Sequence, residues 1–256
     1  MSGQFDIDGD VAIVTGASSG IGAAIARRFA SEGLDVVICS REQENVDPVA
    51  EAISTTADTG EVLALECDVT DRAAVEELVE TTVERFGGLD VLINNAGASF
   101  VAGFDDISPN GWSVIVDINL TGTYHCTHAA ADALAEGGGC VINLSSVAGV
   151  HGSPYMSHYG AAKAGVINLT TSLGSEWASR AVRVNCIVPG FVATEGVESQ
   201  RGVTADEIDR TEVDRRIGTV EEITDIAQFL ASPASSYLVG ETITAKGVPR
   251  ISELEI

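Results

Sequence analysis

Seven short apolar runs recur along this chain, and most are separated by longer amphipathic stretches. The runs are Val11 to Thr15, Val36 to Ser40, Val62 to Glu66, Val91 to Ile93, Cys140 to Leu144, Arg183 to Val188 and Thr242 to Ala245. Each has the length of a buried strand. Between them, Ile21 to Ser31, Asp71 to Phe86, Trp112 to Ala135, Tyr159 to Ser179 and Glu222 to Ala231 read as helices. In the second of these, Val75, Leu78, Val79, Val83 and Phe86 share one face. That helix starts at a Thr70-Asp71 cap and stops at Gly87-Gly88. Strand and helix in alternation mean a parallel sheet with helices on both faces, the doubly wound α/β class. No linker, repeat or low-complexity tract interrupts the 256 residues, so residues 1–256 read as a single domain. The least regular stretch, Pro189 to Arg216, reads as a substrate lid or binding loop within it.

The first strand runs into Thr15-Gly16-Ala17-Ser18-Ser19-Gly20-Ile21-Gly22 and straight on into a helix. Glycines let the backbone turn tightly and come close to a pyrophosphate, and the helix N-terminus offers free N–H groups and a favourable dipole. The spacing is G-x-x-x-G-x-G, not the G-x-G-x-x-G of the commoner dinucleotide fingerprint. A glycine-rich turn without ligand is the alternative. Farther on, Tyr159 and Lys163 stand four apart in an alanine-rich helical stretch, which puts both side chains on one face. A tyrosine with pKa near 10 needs a downward shift of roughly two to three units to work as an acid/base near neutrality. A neighbouring ammonium has the right sign for that. A solvated helix face is the bland alternative for this pair.

Taken together, several motifs carry a resemblance over nearly the whole chain. They are Thr15 to Gly22, Cys67-Asp68-Val69, Asn94-Asn95-Ala96-Gly97, Asn119, Ser145-Ser146, Tyr159-x-x-x-Lys163 and Pro189-Gly190 through Thr194. In order and spacing the chain resembles the short-chain dehydrogenase/reductase family of oxidoreductases. The resemblance implies a Rossmann-type seven-stranded parallel sheet, assembly into homotetramers, and hydride transfer between a nicotinamide cofactor and a carbonyl or secondary alcohol. It implies that Gly16, Gly20 and Gly22 line the pyrophosphate, with Ser18, Ser19 and Ile21 in the same loop. Asp68 would bind the adenine with Val69 beside it. Asn95, Ala96 and Gly97 would lie below the cofactor, and Pro189, Gly190, Val192 and Thr194 would border its nicotinamide amide.

The same resemblance assigns catalysis. Ser146, thirteen residues before Tyr159, would hydrogen-bond the carbonyl oxygen, with Ser145 a structural neighbour. Tyr159 would be the acid/base, and Lys163 would orient the cofactor ribose and lower the Tyr159 pKa. Asn119 is a polar residue on an apolar stripe. Back-bonding to its own helix would explain it, but the resemblance implies a bound water linking Lys163 to solvent.

Cofactor choice turns on the end of the second strand. An acid there favours NAD. This chain has Ser40-Arg41, and Arg41 suits the 2′-phosphate of NADP. NAD is the alternative, because Ser19 stands where many NADP enzymes carry a second base and Glu42 follows Arg41. The expected substrate is a small carbonyl or alcohol, with the 3-oxoacyl-thioester reductases as the nearest resemblance. A sugar or polyol dehydrogenase is a second reading, and a cofactor-sensing protein without catalysis a third. The flank of the site, Tyr155, Phe191 and Val192, is mildly apolar and shows no basic cluster for a carrier-protein phosphate. Lys246-Gly247-Val248 replaces the acidic-Gly-Gly turn usual in the family after the last strand, which bears on its C-terminal subunit contact.

Charge narrows the partners. The chain carries 38 Asp+Glu against 14 Lys+Arg, a formal net charge of -24, and Lys163 and Lys246 are its only lysines. So acidic a surface argues against nucleic acid and against anionic lipid. No apolar run is long enough for a bilayer, and no signal peptide is visible, so a cytoplasmic setting is expected. Five scattered cysteines without a C-x-x-C pair read as reduced thiols. Among the histidines, His125 and His128 lack a third ligand and His158 points away from Tyr159. His151 could touch substrate. No metal site is expected. Trp112 and Trp177 read as packing residues. The acidity suits a salt-adapted protein, since molar salt cuts the screening length to roughly 3 Å.

Overall fold

A computed structural model describes residues 3–56, 59–195, 204–213 and 216–248. Its centre is β1 (Val11–Thr15), buried along its whole length. Alternation sends Ala12 and Val14 to one face and Val11 and Ile13 to the other. On the first face they meet α1 (Gly20–Ser31), α2 (Gln43–Ser54) and the helix Val220–Ala231, here α8. On the second they meet α3 (Arg72–Phe86), α5 (Gly122–Gly137) and the end of α7 (Ser157–Trp177). Two apolar layers therefore clamp one sheet, as strands buried on both faces require.

The other strands are β2 (Asp35–Ser40), β3 (Val62–Glu66), β4 (Val91–Asn94), β5 (Gly139–Leu144), β6 (Val182–Pro189) and β9 (Thr242–Ala245). The order is β3-β2-β1-β4-β5-β6-β9, every pairing parallel. All seven expected strands are present, in a doubly wound sheet. Chain order reverses between β1 and β4, so their carboxyl ends splay into a crevice where ligands bind in such sheets. A separate two-stranded ribbon pairs β7 (Val192–Ala193) with β8 (Gly218–Thr219). It ties together the two ends of the irregular 189–216 segment, of which residues 196–203 and 214–215 lie outside the described residues.

Two helices differ from expectation. The sequence pattern showed nothing between Gln43 and Ser54, where α2 carries Pro48 in its interior and only Val46 and Ile53 fully buried. A proline past the first turn removes one hydrogen bond and disguises a helix. The expected helix from Trp112 to Ala135 is broken: α4 (Pro109–Val116) passes through a wider π-turn at Asp117–Thr121 into α5.

Candidate active site

Beyond β1, Gly16 and Gly20 take φ values of 64° and 57°, a region other residues enter only at a cost of about 1 kcal/mol or more. A Cβ on Gly16 would lie 2.6 Å from the Cα of Ala96, and one on Gly22 would lie 2.4 Å from Asn95 Nδ2. The glycine loop is thus pressed against Asn95-Ala96-Gly97 after β4. Thr15 and Asn95 lock the two together. Thr15 Oγ1 accepts the N–H groups of Asn95 (3.0 Å) and Ala96 (3.1 Å). Asn95 Nδ2 donates to the carbonyls of Thr15 (3.0 Å) and Gly16 (2.8 Å).

This loop fits a pyrophosphate. Ser19 is the N-cap of α1, yet its side chain caps nothing, and no acid lies in the first turn. Unclaimed N–H groups and the positive end of the helix dipole therefore face outward beside Ser18 and Ile21. Thr194 folds back over the loop, its Cγ2 within 3.3 Å of where a Gly20 Cβ would sit. Behind it, Pro189 ends β6, Gly190 N–H donates to Ala245 O (2.7 Å), and Val192 is buried.

At the end of β2, Ser40 Oγ donates to Glu42 O (2.8 Å), and Arg41 is exposed with no carboxylate partner among the described residues. Asp68 Oδ1 accepts from Thr70 N (2.9 Å) and Thr70 Oγ1 (2.8 Å), fixing the turn after β3. Val69 is buried, and its carbonyl faces His125 Nδ1 at 3.1 Å. His125 is thereby occupied structurally.

Past β5, Ser145 Oγ donates to Lys163 O (2.8 Å), while Ser146 caps the short helix α6 (Val147–His151) through the N–H of Ala148 (3.2 Å). Ser145 is thereby tied to the backbone of the helix bearing Lys163, and Ser146 is hydrogen-bonded with Tyr159. Lys163 is 4% exposed. Its ammonium donates to Leu144 O (2.7 Å) and lies 5.8 Å from the centre of the Tyr159 ring. Asn119, fully buried in the π-turn, donates through Nδ2 to Ala98 O (2.7 Å) and Ile115 O (2.9 Å). The second bond is the back-bonding that sequence allowed. Asn119 Oδ1 has no partner, and it lies 2.8 Å from where a Gly97 Cβ would sit, with Lys163 Nζ 3.5 Å from the same point. An orphaned buried acceptor and an ammonium thus converge on the open side of Gly97.

The electrostatics correct one expectation. Burial raises the Tyr159 phenol above its ordinary value, and a hydrogen bond with Ser146 works against the rise. Burial also lowers Lys163 to about 8. The downward shift of Tyr159 by Lys163 is not present in the chain by itself. Both groups are dehydrated, and the ammonium is turned to the Leu144 carbonyl.

Sequence reasoning missed two features near this site. Tyr155 has φ 65°, and its carbonyl accepts from Ala102 N (2.9 Å), joining the loops after β4 and before α7. Lys246 sits one residue past β9 with Nζ 2.8 Å from His151 Nε2. His158 is buried against Phe100, ring centres 4.2 Å apart, away from the phenol as expected. Trp177 packs on the core, whereas Trp112 is partly exposed on α4. No helix among the described residues is long and apolar enough to cross a membrane.

The comparisons agree with this geometry. A family model described as "Enoyl-(Acyl carrier protein) reductase" matches residues 16–247. A 3-oxoacyl-[acyl-carrier-protein] reductase from Synechocystis sp. is 38% identical over 93% of this chain and 95% of its own length. A 3alpha-hydroxysteroid dehydrogenase from Mediterraneibacter gnavus is 34% identical over 94% of this chain and 96% of its own. The crystal structure of a putative short-chain alcohol dehydrogenase from Sinorhizobium meliloti superposes with a TM-score of 0.85 at 35% identity, covering 96% of this chain and 98% of that one. The relatives carry different activities in their names, so the full-length matches speak for a shared family rather than a shared substrate. By the glycine loop, the parallel sheet and these full-length matches, the chain belongs to the short-chain dehydrogenase/reductase family of oxidoreductases.

Proposed function

We propose that this oxidoreductase uses NADP(H) and reduces a carbonyl on an apolar acyl chain, a 3-oxoacyl thioester being the leading candidate. The observation that carries it is the convergence of Ser146, Tyr159, Lys163 and Asn119 beside the glycine loop. When bound, the nicotinamide supplies or receives the hydride. Tyr159 then gives a proton to the carbonyl oxygen, or takes it from the alcohol in reverse. Ser146 steadies the charge on that oxygen. Lys163 holds the ribose and refills Tyr159 through a water lodged between its ammonium and Asn119 Oδ1. Gly16, Ser18, Ser19, Gly20, Ile21 and Gly22 take the pyrophosphate, Asp68 and Val69 the adenine, and Pro189, Gly190, Val192 and Thr194 the nicotinamide side. Segment 189–216 acts as the substrate loop. Exposed Val101, Phe104, Val150, Tyr155 and Phe191, on the segments that follow β4, β5 and β6, supply an apolar rim suited to such a chain.

A panel of 3-oxoacyl thioesters, small ketones and aldoses with NADPH and NADH tests this reading. Turnover should be fastest with a thioester and NADPH. Preference for aldoses with NADH would overturn it. Arg41 carries the cofactor half: Arg41→Asp should cut kcat/KM for NADPH about 100-fold, the worth of a lost charge-assisted bond plus repulsion, and spare NADH. Equal losses with both cofactors would remove Arg41 from the 2′-phosphate.

We propose further that the protein works as a homotetramer in a salt-rich cytoplasm. Support for salt comes from the net charge of -24 and from arginines 28, 72, 85, 180, 210 and 216, which all pair with carboxylates yet leave most acids among the described residues outside an ion pair. The melting temperature should climb by several degrees as KCl rises from about 0.1 M to the molar range, where repulsion is screened within about 3 Å. A flat or falling profile would discard the salt-adapted reading.

A further inference from the structure

We propose that Lys246 and His151 form a cationic subsite at the substrate end of the crevice that takes an anionic group of the substrate, a carboxylate or a phosphate. The inference deepens the oxidoreductase reading and rests on it.

The two residues are 95 positions apart in the chain, yet Lys246 Nζ lies 2.8 Å from His151 Nε2. An ammonium has no lone pair, so the imidazole accepts at Nε2 and carries its proton on Nδ1. The pair therefore offers one positive charge and two kinds of donor, the remaining ammonium protons and the Nδ1–H. Both residues are exposed.

Their location ties them to the chemistry. His151 ends α6, the helix capped by Ser146. Five residues at 1.5 Å each put it about 7.5 Å along the axis from the serine. Lys246 follows Ala245, which pairs in register with Pro189. Its Cα is 3.0 Å from where a Gly190 Cβ would sit, so it flanks the segment proposed to border the nicotinamide. Lys246 also lines a cavity of about 660 Å³ floored by Phe191, Val192, Ile223 and Ile226. The other cations of that cavity are tied down, Arg210 to Asp225 and Arg216 to Glu222. Lys246 has no carboxylate partner among the described residues.

Acids outnumber bases 38 to 14 in this chain, so a lysine left beside an imidazole rather than a carboxylate is unusual. The cavity has an apolar floor and a charged rim that also carries Glu212 and Glu222, and Lys246 is the rim cation without a carboxylate partner among the described residues, which matches an apolar substrate with an anionic end. Sequence inspection found no basic cluster because the cation comes from the far end of the chain and its partner is a histidine.

The test compares substrates that share a carbonyl and differ in charge. One pair is acetoacetate and its methyl ester. The other is a 3-oxoacyl-coenzyme A and the N-acetylcysteamine thioester of the same acyl group. For Lys246→Met, the ratio of kcat/KM for the charged member to that for the neutral one should fall about tenfold or more in at least one pair, as loss of a charge-assisted bond requires. Lys246→Arg should restore most of it. A fall in the first pair identifies a carboxylate, and a fall in the second a phosphate. Unchanged ratios in both pairs would overturn the proposal. Calorimetric titration of butyrate, with butyramide as the neutral control, decides without turnover. Butyrate, or inorganic phosphate titrated in the same way, should bind the unaltered protein more tightly than butyramide and lose that advantage in Lys246→Met; binding of both anions no tighter than butyramide would overturn the subsite. If no carbonyl compound is turned over, the oxidoreductase reading fails, while this titration still decides the subsite.

Discussion

Tyr159→Phe should lower turnover by about a thousandfold or more, within the range that loss of a general acid produces. Cofactor affinity, read by fluorescence titration, should change by less than about threefold, because the ring and its place 5.8 Å from Lys163 are kept. The fold should not notice the loss of one hydroxyl. Activity above a few per cent of the original would remove Tyr159 from the proton-transfer role. The pH profile supplies a second reading of the same residue. With Tyr159 as the proposed acid/base, alcohol oxidation needs the phenolate, and burial holds the free chain's phenol above its ordinary value. Oxidation should therefore accelerate as pH rises through the alkaline range, whereas carbonyl reduction, which needs the protonated phenol, should be flat near neutrality and decline at high pH.

Lys163→Met should separate activity from stability. Activity should fall about 100-fold or more, since the roles proposed for Lys163 as ribose anchor and in the proton path would be lost together. Stability should hold or rise. Keeping a buried ammonium charged when its pKa has dropped from 10.5 to about 8 costs roughly 3 kcal/mol. Losing the bond to Leu144 O gives back about 1–3 kcal/mol of that. A methionine of similar length should leave the protein between unchanged and about 2 kcal/mol more stable at pH 7. The pH dependence follows in sign. Below pH 8 both folded and unfolded chains hold the proton, and the penalty stands in full. Between 8 and 10.5 the folded chain sheds a proton that the unfolded chain keeps, so stability rises with pH. Above 10.5 both forms are neutral. Denaturant unfolding of the two proteins across this window, at fixed salt, should show the original gaining on the variant. A variant that is less stable by more than about 1 kcal/mol at pH 7, or that runs parallel to the original from pH 8 to 10.5, would refute this account.

Sheet and crevice were legible in the sequence because strands buried on both faces leave continuous apolar runs. Every run found that way is a strand, and the glycine loop and Tyr-x-x-x-Lys lie where the runs placed them. What was hidden lay where local pattern and tertiary context disagree. Helix α2 buries only Val46 and Ile53 fully and carries Pro48, so its periodicity is faint. The π-turn around Asn119 inserts an extra residue into a helix whose apolar pattern continues through it. Only the misplaced polarity of Asn119 marked the spot. The raised Tyr159 could not be read from spacing, because dehydration is a property of the packed site. Lys246 and His151 meet only after β9 is laid against β6.

The ribbon of Val192–Ala193 with Gly218–Thr219 closes a long excursion at its base. Chain-closure entropy grows only logarithmically, about 0.6 kcal/mol for each doubling of length. Once the ends are clasped, a change in the length of chain between them adds little to the cost of closing the loop onto the seven-stranded sheet. With the proposed role as substrate loop, the excursion is in evolutionary terms a replaceable module, where substrate choice can drift while the hydride chemistry stays fixed. Grafting the corresponding stretch of a relative between Thr194 and Gly218 should accordingly move substrate range without moving cofactor choice.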